Sequence, residues 1–229
     1  MINLVLTIIF IIGTMSIYIL SRKLNKKWNH PLTLPVLVSS VVIIVILLIS
    51  KIPYETYMVG GEWIHYLLGP AVVALAYPLY IRRRLLLKWL FPIFMGTIVG
   101  AFIGILSGII LAKLLQVDET IIYSLVPKSV TTPIAIEVTN IIGGEVSLTA
   151  VFVIMAGISG VFMRGFLFKT MRIEHVVGRG VGIGSASHAI GSAHSLEIDE
   201  LEGTLGTVAM VVSAVIVSML APLLVSLIF

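Results

Sequence analysis

Between Ile2 and Leu20 the chain carries no charged residue, and Arg22, Lys23, Lys26 and Lys27 follow at once. An uncharged run closed by a basic cluster is the signature of a helix that crosses a bilayer, which needs about 20 mostly apolar residues. The pattern returns along the chain. A second run, Thr33 to Ser50, begins after Pro31 and Pro35. The run from Trp89 to Leu115 follows Arg82, Arg83, Arg84 and Lys88. Val146 to Lys169 runs into Lys169, Arg172 and Arg179, and Thr204 to Phe229 closes the sequence. Only 11% of the residues are charged, against about 25% in an ordinary soluble domain. These features predict an all-α integral membrane protein with about six full transmembrane helices and two or three broken or re-entrant segments. The expected architecture is transporter-like, a single polytopic domain over 1–229.

The basic clusters assign sides. Lys and Arg are enriched in cytoplasmic connections, so the clusters near residues 22–27, 82–88 and 169–179 are expected there. The net charge of +4 is met by this bias and by anionic lipid, and calls for no nucleic acid. At the N-terminus the charges follow the apolar run, whereas a secretory signal places them before it. An uncleaved helix with its N-terminus outside is therefore expected. With no cysteine in the chain, disulfides, thiolate metal sites and cysteine nucleophiles are excluded.

Glycine and proline mark the remaining features. KIPYETYMVGGEWI reads as interfacial, with Tyr54, Tyr57 and Trp63 at headgroup level and Gly60-Gly61 breaking the helix. Gly96, Gly100, Gly104 and Gly108 line one helical face and permit close helix approach. Three segments are interrupted within apolar sequence: 68–80 with Pro70 and Pro78, 123–138 with Pro127 and Pro133, and 178–195 with Gly184 and Gly191. A broken helix leaves backbone polar groups that lipid cannot satisfy, and transporters use such breaks to hold solutes near the midplane. Sliding the chain on itself establishes no internal repeat.

Lys128 is the charge that asks most of its surroundings, because burial at the bilayer centre costs about 2.5 kcal/mol or more. It serves either as the counter-charge of an anionic substrate or as a snorkelling side chain at a re-entrant tip. Ser129, Thr131 and Thr132 can donate to a carboxylate or back-bond to their own helix. Glu137 and Glu145 mark an exit to water. In GSASHAIGSAHSLE, His188 and His194 lie too far apart on a helix to share a ligand face, and no third ligand or His-x-x-x-His spacing exists for zinc. No strand-to-helix turn supports a serine hydrolase, and Gly178, Gly180, Gly182 and Gly184 match no phosphate-loop spacing. No enzymatic activity and no cofactor or metal are expected. Two readings stay open: a tight packing face with internally bonded histidines, or a polar path lined by Ser185, Ser187, His188 and Ser192, with His188 as a proton carrier. Glu197, Asp199, Glu200 and Glu202 read as an acidic connector before the last span.

PAVVALAYPLY, PKSVTTPIA and GSASHAIGSA, in this order and spacing, resemble the LrgB/CidB family of bacterial membrane proteins, with the CidB-like branch nearest. The resemblance covers essentially the whole chain. It implies one of two roles. One is holin- or antiholin-like, modulating murein hydrolase activity and autolysis with a small LrgA/CidA-type membrane protein. The other is carriage of small monocarboxylates of the pyruvate, lactate, glycolate or glycerate class, by likeness to the plastidal glycolate/glycerate translocator, driven by protons or the membrane potential. Pro127, Lys128, Ser129, Thr131, Thr132, Pro133, Gly184, Ser187, His188 and Gly191 fall on family positions. His194 departs from them, as does Leu34, where an asparagine is common. A homo-oligomer in the lipid bilayer is the expected assembly.

Overall fold

The computed structural model describes residues 2–28, 33–67, 69–70, 73, 76–81 and 83–229. All regular structure among them is helical, and the chain divides into two compact units, Met1–Ala74 and Leu75–Phe229. Pro31, Leu68 and Arg82 lie outside the described residues.

The first unit contains α1 (Ile2–Trp28), α2 (Pro35–Ile49) and α3 (Tyr54–Tyr66). α1 runs straight through the basic cluster, and Thr33 Oγ1 donates to Asn25 Oδ1 at 2.8 Å, tying the start of α2 to the end of α1. Pro35 opens α2, where its missing N–H has no intrahelical partner to lose. The predicted break at Gly60-Gly61 does not occur, since α3 is continuous across both. The reason is packing. A Cβ at Gly60 would lie 2.7 Å from Phe10 Cβ and 2.9 Å from the Thr7 carbonyl oxygen, so glycine admits α1 rather than ending α3. Thr14 and Tyr57 share a 3.1 Å hydroxyl bond beside this contact. Pro70 is helical and exposed.

The second unit holds α4 (Ala76–Ile81), α5 (Arg83–Leu114), α6 (Glu119–Leu125), α7 (Thr132–Ile142), α8 (Val146–Thr170), α9 (Val176–Ile198) and α10 (Glu200–Ile228). Pro78 sits within α4, its side chain outside the description. Among the described residues four helices are long and apolar enough to span a bilayer, namely α1, α5, α8 and α10, and α2 and α7 are shorter apolar helices. The protein is a multi-pass membrane protein. α2, with 15 residues, reaches only about 22 Å against a hydrocarbon core of about 30 Å.

End-to-end contacts fix the helix directions in this unit. Lys113 Nζ donates to the Ile228 carbonyl at 3.2 Å and sits 3.6 Å over the Phe229 ring, so α5 and α10 finish on one side. The last turns of α8 meet the first turn of α10 where Arg164 pairs with Glu202, so α8 runs opposite to both. Ile109, Val130, Val138, Val153 and Val217 are buried in the core they share.

Two segments enter this frame and turn back. α9 is broken at His188, whose φ of 42° and ψ of −132° no helix can continue. A Cβ on Gly191 would lie 2.9 Å from Ile183 Cγ1 and 3.1 Å from the Ile183 carbonyl oxygen; a straight helix would hold these residues about 12 Å apart. Arg179 on the inbound arm and Ser195 on the outbound arm both reach Glu202, although a straight helix would separate them by about 24 Å. α9 is thus a re-entrant hairpin, which resolves whether 178–195 crosses or returns. The α6–α7 segment behaves alike from the other side. Its chain reverses over residues 126–131, and Glu145 N–H donates to Ser124 Oγ at 2.7 Å as the end of α7 comes back to α6.

The predicted acidic connector is not a loop. Asp199 alone separates α9 from α10 and caps α10, its carboxylate accepting from the Glu202 N–H at 2.9 Å. Glu202, in the first turn that Asp199 starts, is drawn inward and fully buried, because Arg164, Arg179 and Ser195 wait there to compensate it.

Candidate functional site

The glycine face of α5 is where the two hairpins come together. A Cβ at Gly96 would lie 2.9 Å from Val181 Cγ1, and one at Gly100 would lie 3.4 Å from Ser185 Oγ. Farther along, one at Gly104 would lie 3.7 Å from Ser129 Oγ, and one at Gly108 only 2.7 Å from Lys128 Nζ. The α9 hairpin therefore enters along the start of α5 and the α6–α7 hairpin along its end. Gly100 and Gly104 are about 6 Å apart on the helix axis, so the tips face each other across one turn near the middle of α5. Any side chain larger than hydrogen at Gly108 would take the space of the lysine.

Lys128 is half-buried in the reversal between α6 and α7, and its Nζ donates to the Gly104 carbonyl at 3.4 Å. An ammonium has three donors, so this one long bond leaves capacity for a ligand. Pro127 is buried behind it. Thr131 is the N-cap of α7 and makes no side-chain cap bond; Thr132 and Pro133 form the first turn. The amides of that turn point back at the tip, where a helix N-terminus carries roughly half a positive charge.

The residues of the α9 hairpin divide among three neighbours. Ser185 lies against α5, its hydroxyl bonded to the Val181 carbonyl at 2.6 Å. Ser187 and His188 face α8: a side chain at Gly160 would overlap the Ser187 hydroxyl, and a Cβ at Gly157 would lie 2.9 Å from His188 Cε1. His188 Nε2 is 2.9 Å from the Val153 carbonyl oxygen; that oxygen can only accept, so Nε2 carries the proton. Ser192 faces α10, 3.1 Å from the place a Cβ would take on Gly206. Gly184 meets the Gly206 carbonyl, and Gly191 meets Ser187 Cβ and Ile183, so both glycines allow arms and neighbours to close on one another. The hydroxyls of Ser187 and Ser192 are buried with no hydrogen-bond partner among the described residues. Lys128, Ser129 and Ser185 are thus brought to one face, while the imidazole of His188 is turned to the α8 backbone and Ser192 to α10. His194, on the outbound arm, is half-buried.

One cluster escaped the sequence reading. Glu202 Oε1 accepts from Arg164 Nη2 at 2.6 Å, from Arg164 Nε at 3.1 Å and from Ser195 Oγ at 2.8 Å. Arg179 Nε stands 3.1 Å from Oε2 as an ion pair. This clasp joins α8, both arms of α9 and α10 at the base of the hairpin. Its signal was Arg164, a lone cation inside an apolar run, which by itself demands a partner. Glu137 and Glu145 are exposed. Among the described residues no group of three His, Asp or Glu side chains is arranged to hold a metal.

The profile of the LrgB-like family matches residues 14–227. The chain is 42% identical to protein YxaC of Bacillus subtilis, over 96% of each sequence. It is 34% identical to holin-like protein CidB of Staphylococcus epidermidis, and equally to that of Staphylococcus aureus, over 97% of each sequence. No solved structure matches it.

Proposed function

This chain belongs to the LrgB-like family, and from that premise we propose that it acts as a holin-like protein of the bacterial cell membrane, its N-terminus outside. It works with a small LrgA/CidA-type membrane protein, as a homo-oligomer, to set the activity of murein hydrolases and hence autolysis. The support is end-to-end similarity to relatives named holin-like, and their names describe a membrane protein rather than an enzyme. The observation that carries the reading is the meeting of two opposed hairpin tips at the glycine face of α5. At that level backbone polar groups, hydroxyls and a lysine replace the apolar barrier, so a modest separation of the tips admits water and solute.

A second reading is favoured by the chemistry of the tips. Lys128, Ser129 and the uncapped start of α7 all present positive charge or donors, which suits a small monocarboxylate held between the tips and released to either side. Ser185 on the opposing hairpin would complete the path; Ser187, His188 and Ser192, which face α8 and α10, would join it only when that hairpin moves, with a proton on His188 or the membrane potential driving movement.

One experiment separates the two. Proteoliposomes with and without the small partner are loaded with a large dye and offered labelled pyruvate, lactate and glycolate. Release of dye and acids alike, dependent on the partner, supports the holin-like reading. Saturable uptake of the acids with dye retained, lost in Lys128→Ala, supports carriage. If neither solute crosses under any of these conditions, both readings fail.

A further inference from the structure

Beside the inbound arm of α9 runs an open groove of about 850 Å³. One wall is α5, with Trp89, Pro92, Gly96 and Gly100; the other is α9, with Gly178, Val181, Gly182 and Ser185, and the 171–175 turn borders its outer end. α5 is kinked at its mouth, where Trp89 has non-helical angles and Pro92 removes an amide. The lining is almost wholly apolar, since the Ser185 hydroxyl is spent on the Val181 carbonyl and His175 Nδ1 on the Val177 N–H. Gly96 and Gly100 are covered by Val181 and Ser185, but Gly182 is open, and a Cβ there would meet only Phe168 Cε1, at 3.9 Å.

Charge gathers at the outer end and nowhere along the groove. Lys88 Nζ sits 5.4 Å above the Trp89 ring. Lys169 and Arg172 are exposed beside the turn, and Glu174 is the one acid among them. From Trp89 to Gly100 the groove runs about 16 Å along α5, close to the roughly 15 Å depth of one leaflet's hydrocarbon. Its outer end lies at the headgroup level of the basic face and its inner end at mid-bilayer, beside the hairpin tips.

We propose that this groove holds one anionic diacyl phospholipid of the cytoplasmic leaflet. The acyl chains lie in the groove between Trp89 and Ser185, against Val181 and Gly182, and the phosphate meets Lys88 and Arg172. Basic pockets between membrane helices on the cytoplasmic side are known to take such headgroups. A partner helix is the competing occupant for a glycine-lined groove. It would need a groove that crosses both leaflets and gains nothing from the cationic rim, whereas this one stops halfway and carries the rim at one end.

The test uses the purified full chain in detergent, titrated with phosphatidylglycerol or phosphatidylcholine of identical acyl chains. The melting midpoint and the lipids retained in native mass spectra are both read. Phosphatidylglycerol should raise the midpoint in a saturable way with one lipid retained, and phosphatidylcholine should do much less. Lys88→Gln with Arg172→Gln should at least halve the difference between the two lipids. Gly182→Leu, which fills the groove where there is room for it, should remove the retained lipid while the lipid-free midpoint stays near that of the wild type. Equal shifts from the two lipids, an undiminished preference in the charge variants, or a lipid still held by Gly182→Leu each overturn the proposal. So does a second copy of the chain found bound in the groove by cross-linking at Gly182→Cys.

Discussion

His188 shows how much one residue can determine. Its φ of 42° and ψ of −132° lie where an L side chain is strained, at a cost of about 1–3 kcal/mol, while the bond from Nε2 to Val153 returns only about 0.5–1.5 kcal/mol. Glycine would relieve the strain and lose the bond, whereas alanine would lose the bond and keep the strain. We therefore expect His188→Gly to melt within a few degrees of the wild type and His188→Ala clearly lower, as measured in detergent. Equal melting of the two would mean that the break is not strained. Lys128 behaves in the opposite sense. Among the described residues its half-buried ammonium makes a single 3.4 Å bond, and the cost of keeping a lysine at the bilayer centre is about 2.5 kcal/mol or more. Lys128→Met should raise the melting midpoint, and on the carrier reading it should also abolish uptake of the acids in the proteoliposome assay. A fall in stability would show that the lysine is structural. The sequence made both residues visible through their company of glycine, proline and hydroxyls, but it could not show where His188 points. That direction is set by Gly157 and Gly160 on α8, some thirty residues away in the sequence.

At the scale of elements, the long helices were legible because an apolar run has a length that can be compared with the bilayer. The hairpins were legible only as interruptions, since a broken segment reads the same whether it crosses or returns. What decides is a contact between arms, such as Gly191 on Ile183, and a single chain read linearly holds no sign of it. The same limit explains the two corrections. Gly60-Gly61 looked like a helix break because its partner Phe10 is distant in sequence, and Glu202 looked solvated because its arginines lie on α8 and α9. The clasp they form closes the base of the α9 hairpin. Removing one partner of a buried ion pair costs about 3–5 kcal/mol, so Glu202→Ala should be among the most destabilising single changes in this unit. Glu202→Gln keeps the volume and one acceptor and should lose less. Unfolding in graded denaturant orders the two, and a clasp without structural weight would leave both at wild-type stability. A Gly104→Leu change tests the junction instead: it drives a side chain into Ser129 and should block permeation even where the protein still folds.

For the whole molecule, the hairpins dictate which residues share a side of the membrane. α5 begins, α8 ends, and α9 both begins and ends on the side that carries Lys88, Lys169 and Arg172. Basic residues are enriched on the cytoplasmic side, so we expect that face to be the cytoplasmic one although Glu174, Glu197, Asp199 and Glu200 also stand on it. The opposite face carries Asp118, Glu119 and Glu145 at the mouth of the α6–α7 hairpin. Had α9 crossed fully, residue 197 would be outside and α10 would run the other way, against the pairing of Lys113 with the Ile228 carbonyl. The chain contains no cysteine, so single cysteines report their own side without background. We expect Lys169→Cys and Glu197→Cys to be labelled by an impermeant maleimide only after the membrane is opened. Asp118→Cys and Glu145→Cys should be labelled in intact cells. Labelling of Glu197→Cys together with Glu145→Cys from outside would mean that α9 spans the membrane, and the two tips would then have no common level at which to meet.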